Sequence, residues 1–445
     1  MNVLEGIRGR LRVAALSNYL TVCWLLAFAC ACLLIFDRVL ADFAVHDPTH
    51  LDRSGLLDFR ETIYDPVRVF LTGGNPYTVR YASLGGGVFW MYSPLALLLY
   101  APFGLFRFEN AAIVFLTLNL ALVPVLAWLV LRMFDVTATV GRVFGLATLI
   151  AVSRGGYVTL FLGQSTVYLT LATYAALHFA RKRPWLAGFA LAVATVKPTF
   201  GGPLAILMLA MRQQRSVLIG FAIAIVGAAV PGTVLMYELG GPRPFLASMA
   251  TAYTGFKAMS VNNVASAPLR VDAAALLGRL INPSAAARAE FAVTLAILAL
   301  GAIALRRLAT SESDRDRRVS ATIVCLAMLT CIYQQVYGLV LLTLPLTLVS
   351  RRWGPRTEAF EALRWSLLVL MTIPVTNYFM SRRALEFFGI SNLQILNGWV
   401  LALASVNGAA LFAAFSLCVA FALLGARFPT AAVGERTTYG YRQPI

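Results

Sequence analysis

Residues Asp58–Pro102 read DFRETIYDPVRVFLTGGNPYTVRYASLGGGVFWMYSPLALLLYAP. A carboxylate opens the stretch just beyond the end of one hydrophobic segment, and a short amphipathic run follows it. The chain then turns at Gly73-Gly74-Asn75-Pro76-Tyr77 and passes through Tyr92-Ser93-Pro94 into a second hydrophobic segment. Gly, Asn and Pro in succession are turn chemistry, because they supply the special backbone angles and local hydrogen bonds that a reversal needs. The stretch therefore reads as a polar hairpin between two apolar segments, and polar chemistry concentrates there.

Composition outside the hairpin decides the class. The 445 residues are 59% hydrophobic and 13% charged, against about 25% charged for a soluble globular domain. That much apolar surface belongs in a lipid bilayer, so the expected fold is an all-α polytopic membrane protein. Apolar runs fall at about 16–40, 89–106, 111–133, 140–153, 158–180, 185–211, 216–237, 288–308, 319–333, 336–350, 363–380 and 396–424, which predicts about 12 transmembrane helices in one integral membrane domain, 1–445. A straight crossing takes about 20 residues, so 140–153, 319–333 and 336–350 read as tilted, broken or re-entrant. The longest polar connections, 41–88 and 238–287, are read as outer loops.

The net charge of +17 raises the question of nucleic acid. The basic residues, however, mostly mark the ends of apolar runs, as at Arg212 and Arg215, Arg306 and Arg307, and Arg351 and Arg352. That is the distribution of topology signals and lipid-headgroup contacts, so no nucleic-acid partner is expected. The run from Leu16 to Leu40 is too long for a signal-peptide core and is read as an uncleaved first span. All six cysteines lie in apolar segments without a CxxC pair, which points neither to disulfides nor to zinc. His46 and His50 flank Asp47, but Pro48 between them opposes the helical spacing a metal pair would use. No metal or cofactor is expected.

Two positions stand out on physical grounds. The first outer loop holds Asp42, Asp47, Asp52, Asp58, Glu61 and Asp65 out of only 20 Asp and Glu in the chain. By spacing alone Asp58 reads as a solvated acid or the cap of a helix from about Phe59. Lys197, in ATVKPTFGG, interrupts the apolar run 185–211. A charge within a span is a functional candidate, with snorkelling to the interface as the alternative, and Pro198 with Gly201-Gly202-Pro203 predicts a broken helix there.

The order of these motifs resembles the GT-C superfamily of lipid-phosphosugar-dependent glycosyltransferases, in particular glycosyltransferase family 87, which contains mycobacterial phosphatidylinositol-mannoside mannosyltransferases. The resemblance implies a GT-C fold with juxtamembrane helices in the outer loops, and it implies that Asp58 is the catalytic base. Tyr64, Asn75, Tyr77 and Tyr92 then follow in the family's order as substrate-binding positions, and Asp65 is the rival base. The Lys-Pro pair assigns Lys197 to the carrier phosphate. Gly163-Gln164 resembles the family's Gly-Gln-Xaa-Asn with Thr166 in place of Asn, so Gln164 and nearby Arg154 are read as lining the carrier groove, with a helix cap as the alternative for Gln164. Ser260–Pro268 resembles an Asn-Xaa-Ser segment, which brings in Asn262 and Asn263. In Tyr333-Gln334-Gln335-Val336-Tyr337, Gln335 stands nearest to a histidine of related mannosyltransferases.

The implied reaction is chemically coherent. A sugar on a polyprenyl phosphate carries a good leaving group, so the site needs a base for the acceptor hydroxyl and cations for the departing phosphate. In-line displacement inverts the anomeric centre. The expectation is transfer of one sugar, mannose or arabinofuranose, from a polyprenyl-phosphate donor to a glycolipid, polysaccharide or protein outside the cytoplasm, at the bacterial inner membrane. A transporter or flippase of a lipid-linked glycan, and a non-catalytic scaffold, are the rival readings. Broken helices suit transport, whereas the acidic loop with its juxtamembrane helix suits an enzyme.

Overall fold

The computed structural model describes residues 2–44, 55–81, 88–259, 262–264, 267–281, 283–310, 313–351, 358–381, 384, 387–388 and 398–424. The chain is an all-α, multi-pass membrane protein. In order come α1 (Asn2–Ala44), α2 (Leu57–Phe59), a π-helical turn (Arg60–Tyr64), α3 (Asp65–Leu71), the strands β1 (Arg80–Tyr81) and β2 (Val88–Phe89), α4 (Leu95–Gly104), α5 (Phe108–Arg132), α6 (Val140–Val152), α7 (Arg154–Leu162) and α8 (Thr166–Phe179). There follow α9 (Pro184–Ala194), α10 (Pro198–Ala210), α11 (Gln214–Glu238), α12 (Pro242–Ala258), α13 (Ala273–Leu280), α14 (Pro283–Leu308), α15 (Asp314–Cys331), a 3-10 stretch (Val336–Leu342), α16 (Thr343–Ser350), α17 (Glu358–Thr376) and α18 (Gly398–Leu424). The strands pair antiparallel, Arg80 with Phe89 and Tyr81 with Val88.

Among the described residues, Ser17–Ala41, Phe108–Arg132, Gln214–Glu238, Ser284–Leu308 and Trp399–Leu424 are long and apolar enough to cross a bilayer. The other apolar segments are shorter or interrupted. The sequence reading treated 158–180 as one run, but α7 stops at Leu162 and α8 starts at Thr166. Gly163 is the reason: its φ of +71° puts it in the left-handed region, where a glycine terminates a helix without penalty. The short run 140–153 joins α7 through a 73° bend, with Ser153 Oγ accepting from Gly156 N at 3.0 Å to cap the second helix. The break foreseen at Lys197 is present between α9 and α10, whose first residue is Pro198.

Small residues set a close helix crossing between α9 and α11. A Cβ on Gly188 of α9 would come within 2.6 Å of Ile219 Cγ2, and one on Gly220 of α11 would come within 3.0 Å of the Gly188 carbonyl. In lipid, where helices gain nothing from burying apolar surface, such close approach supplies the dispersion contacts that hold them together. The hairpin segment is tied to two of these interrupted helices: Leu56 N donates to Phe161 O near the end of α7 at 2.7 Å, and Ser93 N donates to Val196 O between α9 and α10 at 3.0 Å.

Candidate active site

Leu56 begins the site. Its φ of +60° is a left-handed conformation that costs an L-residue about 1–2 kcal/mol. The conformation is held because Leu56 N donates to Phe161 O at 2.7 Å and the side chain is buried. Two residues on, Asp58 does not cap a helix; it lies inside α2, with Thr62 Oγ1 donating to its own carbonyl at 2.6 Å. Phe59, fully buried, stacks on Phe115 with ring centroids 4.4 Å apart. The backbone around Asp58 is thus fixed from both sides.

The Asp58 carboxylate faces the break after α7. Gln164 Nε2 donates to Asp58 Oδ2 at 2.6 Å. Burial raises the Asp58 carboxyl above the usual range, while the Gln164 hydrogen bond and the positive charge of Lys197 pull it part of the way back.

Lys197, buried at the start of α10, donates from Nζ to the Tyr337 hydroxyl at 3.4 Å. Its ammonium sits 4.5 Å from the Tyr337 ring centroid and 5.8 Å from that of Tyr92, cation–π distances that stabilise a desolvated ammonium lacking a direct carboxylate contact. Ser93 N donates to Val196 O at 3.0 Å, which ties the start of α4 to the break that carries Lys197. Thr159 Oγ1 donates to Tyr337 O at 3.3 Å. Asp58, Gln164, Lys197, Tyr92 and Tyr337 therefore form one cluster drawn from five separate segments.

A second layer comes from the loop between α12 and α13. Tyr333 OH donates to Asn262 Oδ1 at 2.6 Å, and the Gln335 amide donates to the Tyr333 hydroxyl. The fully buried Arg270 organises this layer. Nε and Nη2 bond both oxygens of Asp272 at 2.9 Å, Nη2 also reaches Glu290 Oε1 at 2.8 Å, Nη1 bonds Asn262 O at 2.7 Å, and the guanidinium lies 5.0 Å from the Tyr333 ring. Burial alone would raise the Asp272 carboxyl, but Arg270 and two backbone N–H groups hold it below its ordinary value. The backbone of Arg270 bridges that of Gln335, which ties the loop to the Tyr333–Tyr337 segment.

Residues 90–334, more than half of the chain, match the model of glycosyltransferase family 87. The chain belongs to glycosyltransferase family 87. No curated protein and no solved structure matches it. As a family 87 glycosyltransferase it is an all-α, multi-pass membrane enzyme of the GT-C type that uses a sugar donor and an acceptor. The matched span holds Tyr92, Gln164, Lys197 and Asn262, whereas Asp58, Gln335 and Tyr337 lie outside it. The fold brings the two groups together through the Gln164–Asp58 and Lys197–Tyr337 hydrogen bonds.

The remaining sequence-derived positions sit elsewhere. Tyr64 OH donates to Phe106 O at 3.0 Å and its ring packs on Phe59 and Phe108. Asp65 lies 3.8 Å from Arg60 Nε; burial raises its carboxyl and Arg60 lowers it. Asn75 Oδ1 accepts from Tyr77 N at 3.0 Å to close the hairpin turn. Tyr77 OH supports the site from behind by donating to Tyr92 O at 2.9 Å. Asn262 is buried and Asn263 exposed. Arg154 stands at the opposite end of α7 from Gln164, about 13 Å away for nine residues at 1.5 Å rise. His46, Asp47 and His50 lie outside the described residues, among which no group of three His, Cys, Asp or Glu could hold a metal. Sequence reading did not single out Tyr337, although its i+4 spacing from Tyr333 was visible, nor the Arg270–Asp272 pair, which carries no sequence signal.

Proposed function

We propose that this family 87 glycosyltransferase moves one sugar, mannose or arabinofuranose, from a polyprenyl-phosphate donor to a glycolipid, polysaccharide or protein acceptor on the outer side of the bacterial inner membrane. The single observation that supports the reading best is a partly buried carboxylate, Asp58, on the same cluster as a buried ammonium, Lys197, whose charge it feels.

In this reading the acceptor hydroxyl oxygen attacks the anomeric carbon as its proton passes to Asp58 Oδ1. The bond from that carbon to the phosphate oxygen breaks, and polyprenyl phosphate leaves with the electron pair. Gln164 holds Oδ2 and so orients the carboxylate. Lys197, steadied by Tyr337 and Tyr92, neutralises the departing phosphate. Burial suits Asp58 to the role, because a carboxylate with a raised pKa is a stronger base. Attack and departure on opposite faces invert the anomeric centre. Asn262, with Tyr333 and Gln335 behind it, lines the acceptor side as neutral hydrogen-bonding groups.

The test is mass spectrometry of envelope glycans and glycoproteins from cells carrying wild type, no gene, or Asp58→Asn. Loss of one sugar from one glycoconjugate class in both altered strains is expected. Identical glycans in all three strains would contradict the proposal.

A further inference from the structure

Arg154 is a buried charge that the transfer reaction leaves unexplained. It is buried, with 7% of its surface exposed. Its polar contacts among the described residues are a 3.3 Å bond from Nη2 to Met380 O and the Tyr378 ring, whose centroid lies 5.6 Å from the guanidinium; Nε has no partner. No described carboxylate pairs with it. A buried cation without a counter-ion is costly, and Arg154 is also the first residue of α7, where the helix dipole adds further positive potential. Both effects are relieved by an anion.

The segment beside Arg154 shows what kind of anion. Tyr378 and Met380, which touch the arginine, flank Phe379. Phe379 lines an open apolar cavity of about 400 Å³ together with Phe388, Trp399 and Leu403. The segment is pinned in place: Asn377 Nδ2 donates to Asn407 Oδ1 at 2.9 Å, Phe379 N donates to Asn377 Oδ1 at 3.1 Å, and Tyr378 OH donates to Val152 O. Trp399 starts the span Trp399–Leu424, at the level where tryptophans meet lipid headgroups. Phe379, Phe388 and Trp399 are all substantially exposed, so the cavity opens outward. A buried cation held by the residues on either side of Phe379, next along the chain to an apolar cavity that opens outward, matches a molecule with an anionic head and a hydrocarbon tail.

We propose that Arg154 and the cavity beside Phe379 bind an anionic phospholipid of the surrounding bilayer, the phosphodiester on the guanidinium and part of an acyl chain in the cavity. The site is separate from the leaving phosphate of the transfer reaction, which must lie across one sugar carbon from the acceptor hydroxyl at Asp58, whereas α7 holds Arg154 about 13 Å from the Gln164 end.

The test uses the full chain, delipidated in detergent, with thermal unfolding followed as lipid is titrated. Phosphatidylglycerol should raise the unfolding temperature saturably in wild type. Inorganic phosphate, a head without a tail, and diacylglycerol, a tail without a head, should not. Arg154→Gln should weaken the response at least tenfold, and Leu403→Trp, which fills the cavity but keeps the arginine, should do the same; the second variant carries the test if the first does not fold. Equal responses in wild type and Leu403→Trp would overturn the proposal. So would full stabilisation by inorganic phosphate, which would mark a free-phosphate site, or displacement of phosphatidylglycerol by stoichiometric polyprenyl phosphate, which would mark the donor's own groove.

Discussion

Gln164 Nε2 and Asp58 Oδ2, 106 positions apart in the chain, are 2.6 Å apart in space. This bond joins the segment that opens the hairpin to the break between α7 and α8, and it tunes the carboxylate as well as orienting it. Burial pushes the Asp58 carboxyl up, and the amide bond is the larger of the two effects that bring it down.

Activity should therefore rise along an acid limb set above the ordinary carboxylate value of about 3.9. Gln164→Leu removes a hydrogen bond that favours the ionised form, so its acid limb should move to higher pH while the plateau falls modestly. The pH dependence of kcat/KM for both proteins checks this. A limb that stays in place would mean that the titrating group is not Asp58.

Lys197→Met should impair donor use far more than acceptor use. A charge-assisted contact is worth about 1.5–3 kcal/mol, so a loss of roughly tenfold to a hundredfold in kcat/KM for the donor is expected. Tyr337→Phe, which removes only the hydroxyl that Lys197 bonds, should have a smaller effect in the same direction. Unchanged donor kinetics in Lys197→Met would leave that lysine a structural partner of Tyr337 with no part in donor binding.

Gly163→Ala tests the local geometry. A Cβ there would stand 2.7 Å from Phe59 Cβ and 2.8 Å from a Leu56 methyl, at a φ of +71°. The backbone strain alone is about 1–2 kcal/mol, and the clash separates Gln164 from the segment that carries Asp58. Lower thermal stability together with a disproportionate loss of turnover is the expected outcome, and Gly163→Asn, which tolerates the left-handed region better, should be milder in strain but should clash similarly.

Asp272→Asn should be severely destabilising, on the order of 3–5 kcal/mol, because it leaves the buried Arg270 with one carboxylate fewer. The pH dependence has a definite sign. The Asp272 carboxyl is depressed in the folded protein, so its contribution to stability is present above the ordinary carboxylate range and is lost as the pH falls through the folded value. Unfolding temperature against pH in wild type should fall on the acid side, with that slope flattened in the variant.

Much of this was legible in the chain itself. Composition identified a polytopic helical membrane protein, the Lys197–Pro198 pair marked a broken helix, and the hairpin after Asp58 marked the polar face. The break at Gly163 was hidden because an apolar run looks the same whether or not one glycine in it turns left-handed. The Arg270–Asp272–Glu290 strut escaped notice because ion pairing depends on which loop folds over which helix, and hydropathy does not record that. Arg154 and Gln164 were read as neighbours from ten residues of spacing, but a helix between them converts that spacing into a separation of about 13 Å.

Single-turnover transfer by purified wild type and Asp58→Asn, with a polyprenyl-phosphate sugar donor and the acceptor identified from the envelope glycans, tests the central claim. Wild type should give a product of inverted anomeric configuration. The variant should fold with an unfolding temperature at least equal to wild type, since it removes a buried charge, and should lose roughly 10²–10⁴-fold in rate, the range supplied by general base catalysis. A variant that turns over at the wild-type rate, or a wild-type product of retained configuration, would contradict Asp58 as the base of an inverting transfer.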